Sequence, residues 1–305
     1  MAGGKVVTHS ESKENSPEFD IVIVASARHN EIAAIAIHHL LKFIVGFRKI
    51  FLITNKSNFP FYEKELIGHV VLIDEDTVLP NLTFSSLHDI LSRSNCQSRT
   101  GWYFQQFLKM GISNNPQISD HYLIWDADTV PLRPLHFFNE NGQTLINLKE
   151  EFNPPYFTTM KKLLALDKAV EKSFIAEHMM IQKSIMKELI TKISDTGDWP
   201  NVIINSIEKA HLPLSGFSEF ETYGTYLLKY YPKRIELREL KALRSGAKKL
   251  GYLPRKIGLN WLSSTYDYAS FERSHSPKVH RIAKYYIKAL IFKIFGTHRR
   301  KNAQA

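Results

Sequence analysis

Cysteine is nearly missing from this chain: Cys96 stands alone among 305 residues. One thiol excludes an internal disulfide framework and any zinc site built from several thiolates, and it is the usage expected in a reducing compartment. Long apolar runs are missing as well. The opening MAGGKVVTHSESKENSPEFD lacks the hydrophobic stretch of a signal peptide and reads as a disordered polar leader over 1–17. Secretion through it is not expected. Zinc-finger spacing, an RNA-recognition signature and a basic-region heptad are all lacking, so no nucleic-acid partner is expected.

What the chain does have is positive charge and apolar mass. Lys and Arg number 40 against 30 Asp and Glu, a formal net charge of +10, which favours anionic partners such as phosphorylated substrates or acidic lipid. Hydrophobic residues make up 44%, enough for one large core in a chain of this length. One catalytic domain over 18–276, followed by an appendage over 277–305, is the expected organisation.

The first half alternates strand and helix. FDIVIV runs into the polar SARHNE; IAAIAIHHLLKFIVG has helical spacing and a stop at Gly46; KIFLITN and HVVLIDED are further apolar runs with polar ends. Such alternation predicts an α/β fold with a mostly parallel sheet flanked by helices, whose ligands sit beyond the carboxyl ends of the strands. A helix over TGWYFQQFLKMGIS would bring Gln105, Gln106 and Lys109 near one another, and a fourth strand, DHYLIWDADTV, carries Asp126 and Asp128 at its end. The second half is less regular, with helices expected at FTTMKKLLALDKAV and from SGFSEFETYG onward.

Asp126 and Asp128 share strand parity, so both can face one crevice. Two carboxylates of this kind suit Mn2+ or Mg2+, which take carboxylates, waters and substrate phosphates. A turn before Pro131, in which each aspartate bonds its own backbone, explains the same DAD triplet. Ser218 and Glu221 have capping-box spacing, which gives Glu221 a structural reason to exist and leaves Glu219 free for chemistry. His178 beside methionines reads as a core residue as readily as a ligand.

YLIWDADTVPLRP resembles the metal-binding strand end of GT-A fold glycosyltransferases, which use nucleotide-sugar donors. Together with LIDED, GWYFQQFLKM, AEHMMI and GFSEFETYG, it resembles a bacterial family of such enzymes associated with surface polysaccharide or lipopolysaccharide assembly, over roughly Phe19 to Tyr230. The resemblance implies that Asp126 approaches the ribose or the metal and that Asp128 binds the metal holding the donor diphosphate, with His275 (or His280) as a further metal ligand. It places Ala25, Ser26, Arg28, Asp74 and Glu75 around the base and ribose, and Gln106, Lys109, Ala127, Glu177 and His178 near the donor sugar or diphosphate. Glu219, with Glu221 as alternate, would take the acceptor proton in an inverting transfer. The expected partners are a nucleotide-sugar donor and a glycan or lipid-linked acceptor, in the cytoplasm or on the cytoplasmic face of the inner membrane.

DADTV also resembles the opening of haloacid dehalogenase type phosphohydrolases, with Asp126 as nucleophile and Asp128 as acid/base, but that motif sits on the first strand of its domain and no later acidic pair follows here. Two non-enzymatic readings stand beside these, a catalytically silent sugar-nucleotide binder and a nucleic-acid binder. The basic, aromatic tail from Pro277 to Lys301 is too often interrupted by charge to cross a bilayer. It fits a helix lying on an anionic membrane surface, or one packed on the catalytic domain with its lysines in solvent.

Overall fold

The computed structural model describes residues 17–275 and 279–301, with side chains from 279 to 281 and from 295 to 301 left out. The expected leader, apart from residue 17, and the side chain of His280 therefore lie outside the described residues.

The first half is built from β1 (Phe19–Val24), α1 (Asn30–Phe43), β2 (Phe47–Thr54), α2 (Phe59–Glu65), β3 (Val71–Asp74), α3 (Phe84–Ser92), α4 (Thr100–Gly111) and β4 (His121–Asp126). There follow β5 (Thr129–Pro131), β6 (Thr144–Asn147), α5 (Pro154–Leu164), β7 (His178–Gln182), α6 (Lys183–Ile193), α7 (Trp199–Ser206) and α8 (Glu219–Tyr230). The chain closes with β8 (Ile235–Arg238), β9 (Ala242–Leu243), α9 (Gly246–Leu250), α10 (Lys256–Leu262), β10 (Tyr268–Ser270) and α11 (Val279–Lys301).

The main sheet runs β3-β2-β1-β4-β7, parallel except for β7, which pairs antiparallel with β4. This is the α/β architecture that the strand and helix alternation predicts. Apart from the half-buried edge strand β3 and the start of β2, its strands are largely buried on both faces because their residues split by parity. Val22, Val24, Phe51, Ile53, Tyr122 and Ile124 join one core with residues of α3, α4, α6, α7 and α8. Ile21, Ile23, Ile50, Leu52, Leu123 and Trp125 join a second core with α1 and α2. A third cluster ties the outer side of α1 to β5, α9, α10 and β10.

Some local expectations shift. Helix α1 ends at Phe43, and Gly46, at φ +89°, instead turns the chain into β2. AEHMMI leads into β7, whose reversed direction places Glu177 beside Asp126: the Asp126 amide donates to the Glu177 carbonyl at 2.9 Å. The capping box at α8 is half formed. The Ser218 hydroxyl accepts from the Glu221 amide, but the Glu221 carboxylate turns to the Ser173 hydroxyl (2.6 Å) and the Phe174 amide (3.0 Å). Its structural role is therefore to tie α8 to the chain before β7.

Candidate active site at the carboxyl edge of the sheet

Register aligns the strand ends. Val24 lies opposite both Ile53 and Asp126, and Thr54 lies opposite Asp74, so the segments after β3, β2, β1 and β4 leave the sheet along one edge. The chain moves outward from β1 to β2 to β3, then returns to the other side of β1 for β4. Between β1 and β4 the connections diverge, which opens a crevice where open α/β sheets take their ligands. Ser26, Arg28 and His29 stand on one side of this switch point, and Asp126, Ala127 and Asp128 on the other.

Not every acid near the sheet belongs to this crevice. Asp20, at the opposite end of the strands, is fully buried and held by Arg48 (2.9 Å) and the Ser119 amide (2.7 Å). It is a structural acid.

Asp126 ends β4, and a two-residue turn carries the chain through Asp128 into β5. The Trp125 indole donates to the Thr129 carbonyl at 2.6 Å, and the Phe271 amide donates to the Asp128 carbonyl at 2.8 Å, so both flanks of the turn are fixed. The DAD triplet thus forms a turn at the end of β4. Burial pushes the Asp128 carboxyl up to about 7, and the charges of Asp126, Glu272 and Glu177 push the same way. Asp126 keeps 26% of its side chain exposed.

Lys109 reaches this edge from beneath. Its ammonium donates at 2.8 Å to Asp126 Oδ1 and at 2.8 Å to Glu219 Oε1, and lies 4.5 Å from the Phe220 ring centroid. The lysine is 3% and the glutamate 2% exposed, so the pair lies inside the protein. Burial alone would pull the ammonium's pKa down. Asp126 and Glu219 outweigh it and hold the group charged, above its ordinary value. Gln106, one turn earlier on α4, accepts from the Glu219 amide at 3.3 Å through its Oε1.

The remaining candidates divide. The Glu177 carboxylate is near Asp128, ion-paired with Lys149 at 3.3 Å and accepting from the Tyr268 hydroxyl at 2.9 Å. Asp74 caps the turn after β3 by accepting from the Asp76 amide, and Glu75 accepts from the Asn55 amide group at 3.1 Å, which ties the ends of β3 and β2 together. Ser26 and Arg28 are exposed at the edge, whereas Ala25 is buried, its amide bound to the Ile53 carbonyl. His178 is turned into the core instead of the crevice: it is 2% exposed, stacked on Trp125 and edge-on to Phe137 and Tyr268. Burial holds its pKa well below the ordinary value. His275 stands beside Glu272, with its Nδ1 at 3.8 Å.

Two residues of the edge carry no weight in the sequence reading. Burial lowers the His29 pKa while the charge of Asp126 opposes it, and Glu272 acts on both His29 and Asp128. His29 lies in SARHNE, whose polar strand end is the signal for it in the sequence; Glu272 lies three residues before His275.

Among the described residues, no group of three or more His, Cys, Asp and Glu side chains is arranged to hold a metal ion. Asp126 and Asp128 nonetheless suit a hard cation of the Mg2+ or Mn2+ kind, which needs one or two carboxylates when substrate phosphates complete its shell. Lys109 occupies one Asp126 oxygen, and Asp128 sits among like charges that a cation would relieve.

Fold and site together define an α/β protein with an acidic crevice at its topological switch point. The profile of a family of unknown function, DUF6492, matches residues 25–243, and the chain belongs to that family. A comparison with curated proteins finds no match. Among solved structures, the chain is similar to the apo form of mouse xyloside xylosyltransferase 1, with a TM-score of 0.47 and 10% identity over 86% of this chain and 99% of that one.

Proposed function

We propose that this protein is a metal-dependent glycosyltransferase that moves a sugar from a nucleotide-sugar donor to a glycan or lipid-linked acceptor. The observation that supports this most is the placement of Asp126 and Asp128 on a fixed turn at the β1/β4 switch point. One or two carboxylates together with substrate phosphates are enough to hold a cation of the Mg2+ or Mn2+ kind. Mn2+ or Mg2+ held there would neutralise charge on the departing nucleotide.

In the reaction, the acceptor hydroxyl oxygen bonds to the anomeric carbon, the bond from that carbon to the diphosphate oxygen breaks, and the hydroxyl proton leaves to a base. Lys109 fixes Asp126 by holding one of its oxygens, and Glu219 fixes Lys109. The base role that the sequence suggests for Glu219 is not carried into this proposal, because its carboxylate is buried and committed to the ammonium. Ser26, Asn55, Asp74 and Glu75 follow one another along the strand ends, where the base and ribose would lie, with Arg28 exposed beside Ser26. We place the enzyme in the cytoplasm, in the assembly of a bacterial surface polysaccharide; its single cysteine accords with a reducing compartment.

A thermal-shift panel of uridine, guanosine, cytidine and thymidine nucleotide sugars, with and without Mn2+, tests the proposal. Stabilisation by at least one of them that requires the metal is expected. No stabilisation by any, or turnover of simple phosphate esters that Asp126→Asn abolishes, would overturn it, the latter in favour of a phosphohydrolase.

A further inference from the structure

Among the described residues, helix α11 seats one apolar face on the fold and carries a second apolar stripe that is largely exposed. On the inner face Ala289 is buried, the Tyr286 hydroxyl donates to the Leu250 carbonyl (3.2 Å) and accepts from the Arg255 amide (2.8 Å), and the Tyr285 ring lies 6.1 Å from that of Trp261. These contacts seat the helix on α9 and α10. On the other side Ile287, Leu290, Ile291 and Ile294 are each half or more exposed. At about 100° of helical turn per residue they fall within one arc of about 100°.

Lysines border this stripe. Lys284 and Lys288 lie between it and the inner face, their ammonium groups 4.9 and 5.9 Å from the Tyr285 centroid. No Asp or Glu occurs anywhere from 279 to 301. We propose that this outward face docks on an anionic lipid surface, the aliphatic side chains entering the headgroup boundary and the lysines meeting the headgroup charge. Charge complementarity selects this occupant. A second copy of the helix would bring lysines against lysines, and among the described residues no helix is long and apolar enough to cross a membrane.

The face is linked to the crevice. Between α9 and α10, Tyr252 donates its hydroxyl to the Arg28 carbonyl at 2.6 Å, and Asp128 acts on the same hydroxyl. Docking through α11 would hold the edge of the sheet beside the lipid, where a lipid-linked acceptor presents itself. The docking itself does not depend on sugar transfer.

Co-sedimentation of the full chain with phosphatidylcholine vesicles, with and without about 30% phosphatidylglycerol, tests the inference. The wild-type protein is expected to pellet with the anionic vesicles at low salt. The variant Ile287→Ser/Leu290→Ser/Ile291→Ser, altered only at exposed positions and checked for an unchanged melting temperature, should lose binding roughly tenfold or more. Lys284→Glu/Lys288→Glu should lose it in a salt-dependent way. Wild-type protein that stays in the supernatant, a triple variant that pellets like the wild type, or a wild-type dimer abolished by the triple variant without vesicle binding would each overturn the proposal.

Discussion

Replacing Lys109 with methionine would remove the charge and keep much of the side chain's bulk. Glu219, 2% exposed, would lose the cation it pairs with, while Asp126, at 26%, keeps access to water. Breaking a buried ion pair from one side costs about 3–5 kcal/mol, because the remaining charge is stranded. Against a total stability of about 5–15 kcal/mol, that loss takes a large share. Urea unfolding followed by circular dichroism should show Lys109→Met destabilised by about that amount. Adding Glu219→Gln removes the stranded charge, so the double variant should recover roughly 2 kcal/mol relative to Lys109→Met alone. A single variant within about 1 kcal/mol of wild type, or strictly additive effects in the double variant, would refute the claim that lysine and glutamate form one unit beneath Asp126.

Gly224→Ala should destabilise by about 1–3 kcal/mol in the same assay. The added Cβ would stand 2.3 Å from Phe174 Cγ, so a ring buried beneath α8 must move; a neutral outcome would show that α8 is seated less closely. His178 predicts a pH dependence. Its folded pKa lies well below the unfolded value near 6.5, so its contribution is intact above pH 6.5 and is lost as pH falls below it. Between pH 7.5 and 5.5 the wild type should lose about 1.4 kcal/mol more stability than His178→Phe, which keeps a ring in the aromatic cluster and cannot titrate. Parallel pH profiles for the two proteins would contradict the placement of His178 among Trp125, Phe137 and Tyr268.

Most of the parallel sheet was legible, because its strands are short apolar runs ending in polar residues, and the helices between them carry helical spacing. The turn that holds Asp126 and Asp128 was legible from the DAD triplet before Pro131, but the partner of the Asp126 carboxylate, Lys109 from α4, was not. What periodicity does not encode is convergence across the chain. Lys109 and Glu219 are separated by 110 residues and meet only because α4 and α8 share one face of the sheet. Capping-box spacing named Glu221 as structural, and it is, but through Ser173 and Phe174, partners that no local pattern shows. His178 was ambiguous for a similar reason. Its neighbours Phe137 and Tyr268 arrive from distant segments and settle it inside the core.

Asp128 stands at the centre of the proposed chemistry, as a ligand for a cation held jointly with a donor diphosphate. Isothermal titration of the nucleotide sugar found by the thermal-shift panel, into wild type and Asp128→Asn with and without Mn2+, measures that directly. Wild-type binding that requires Mn2+, and a variant in which adding Mn2+ no longer changes the affinity, is the predicted result. A variant that binds the donor with unchanged, metal-dependent affinity would contradict it.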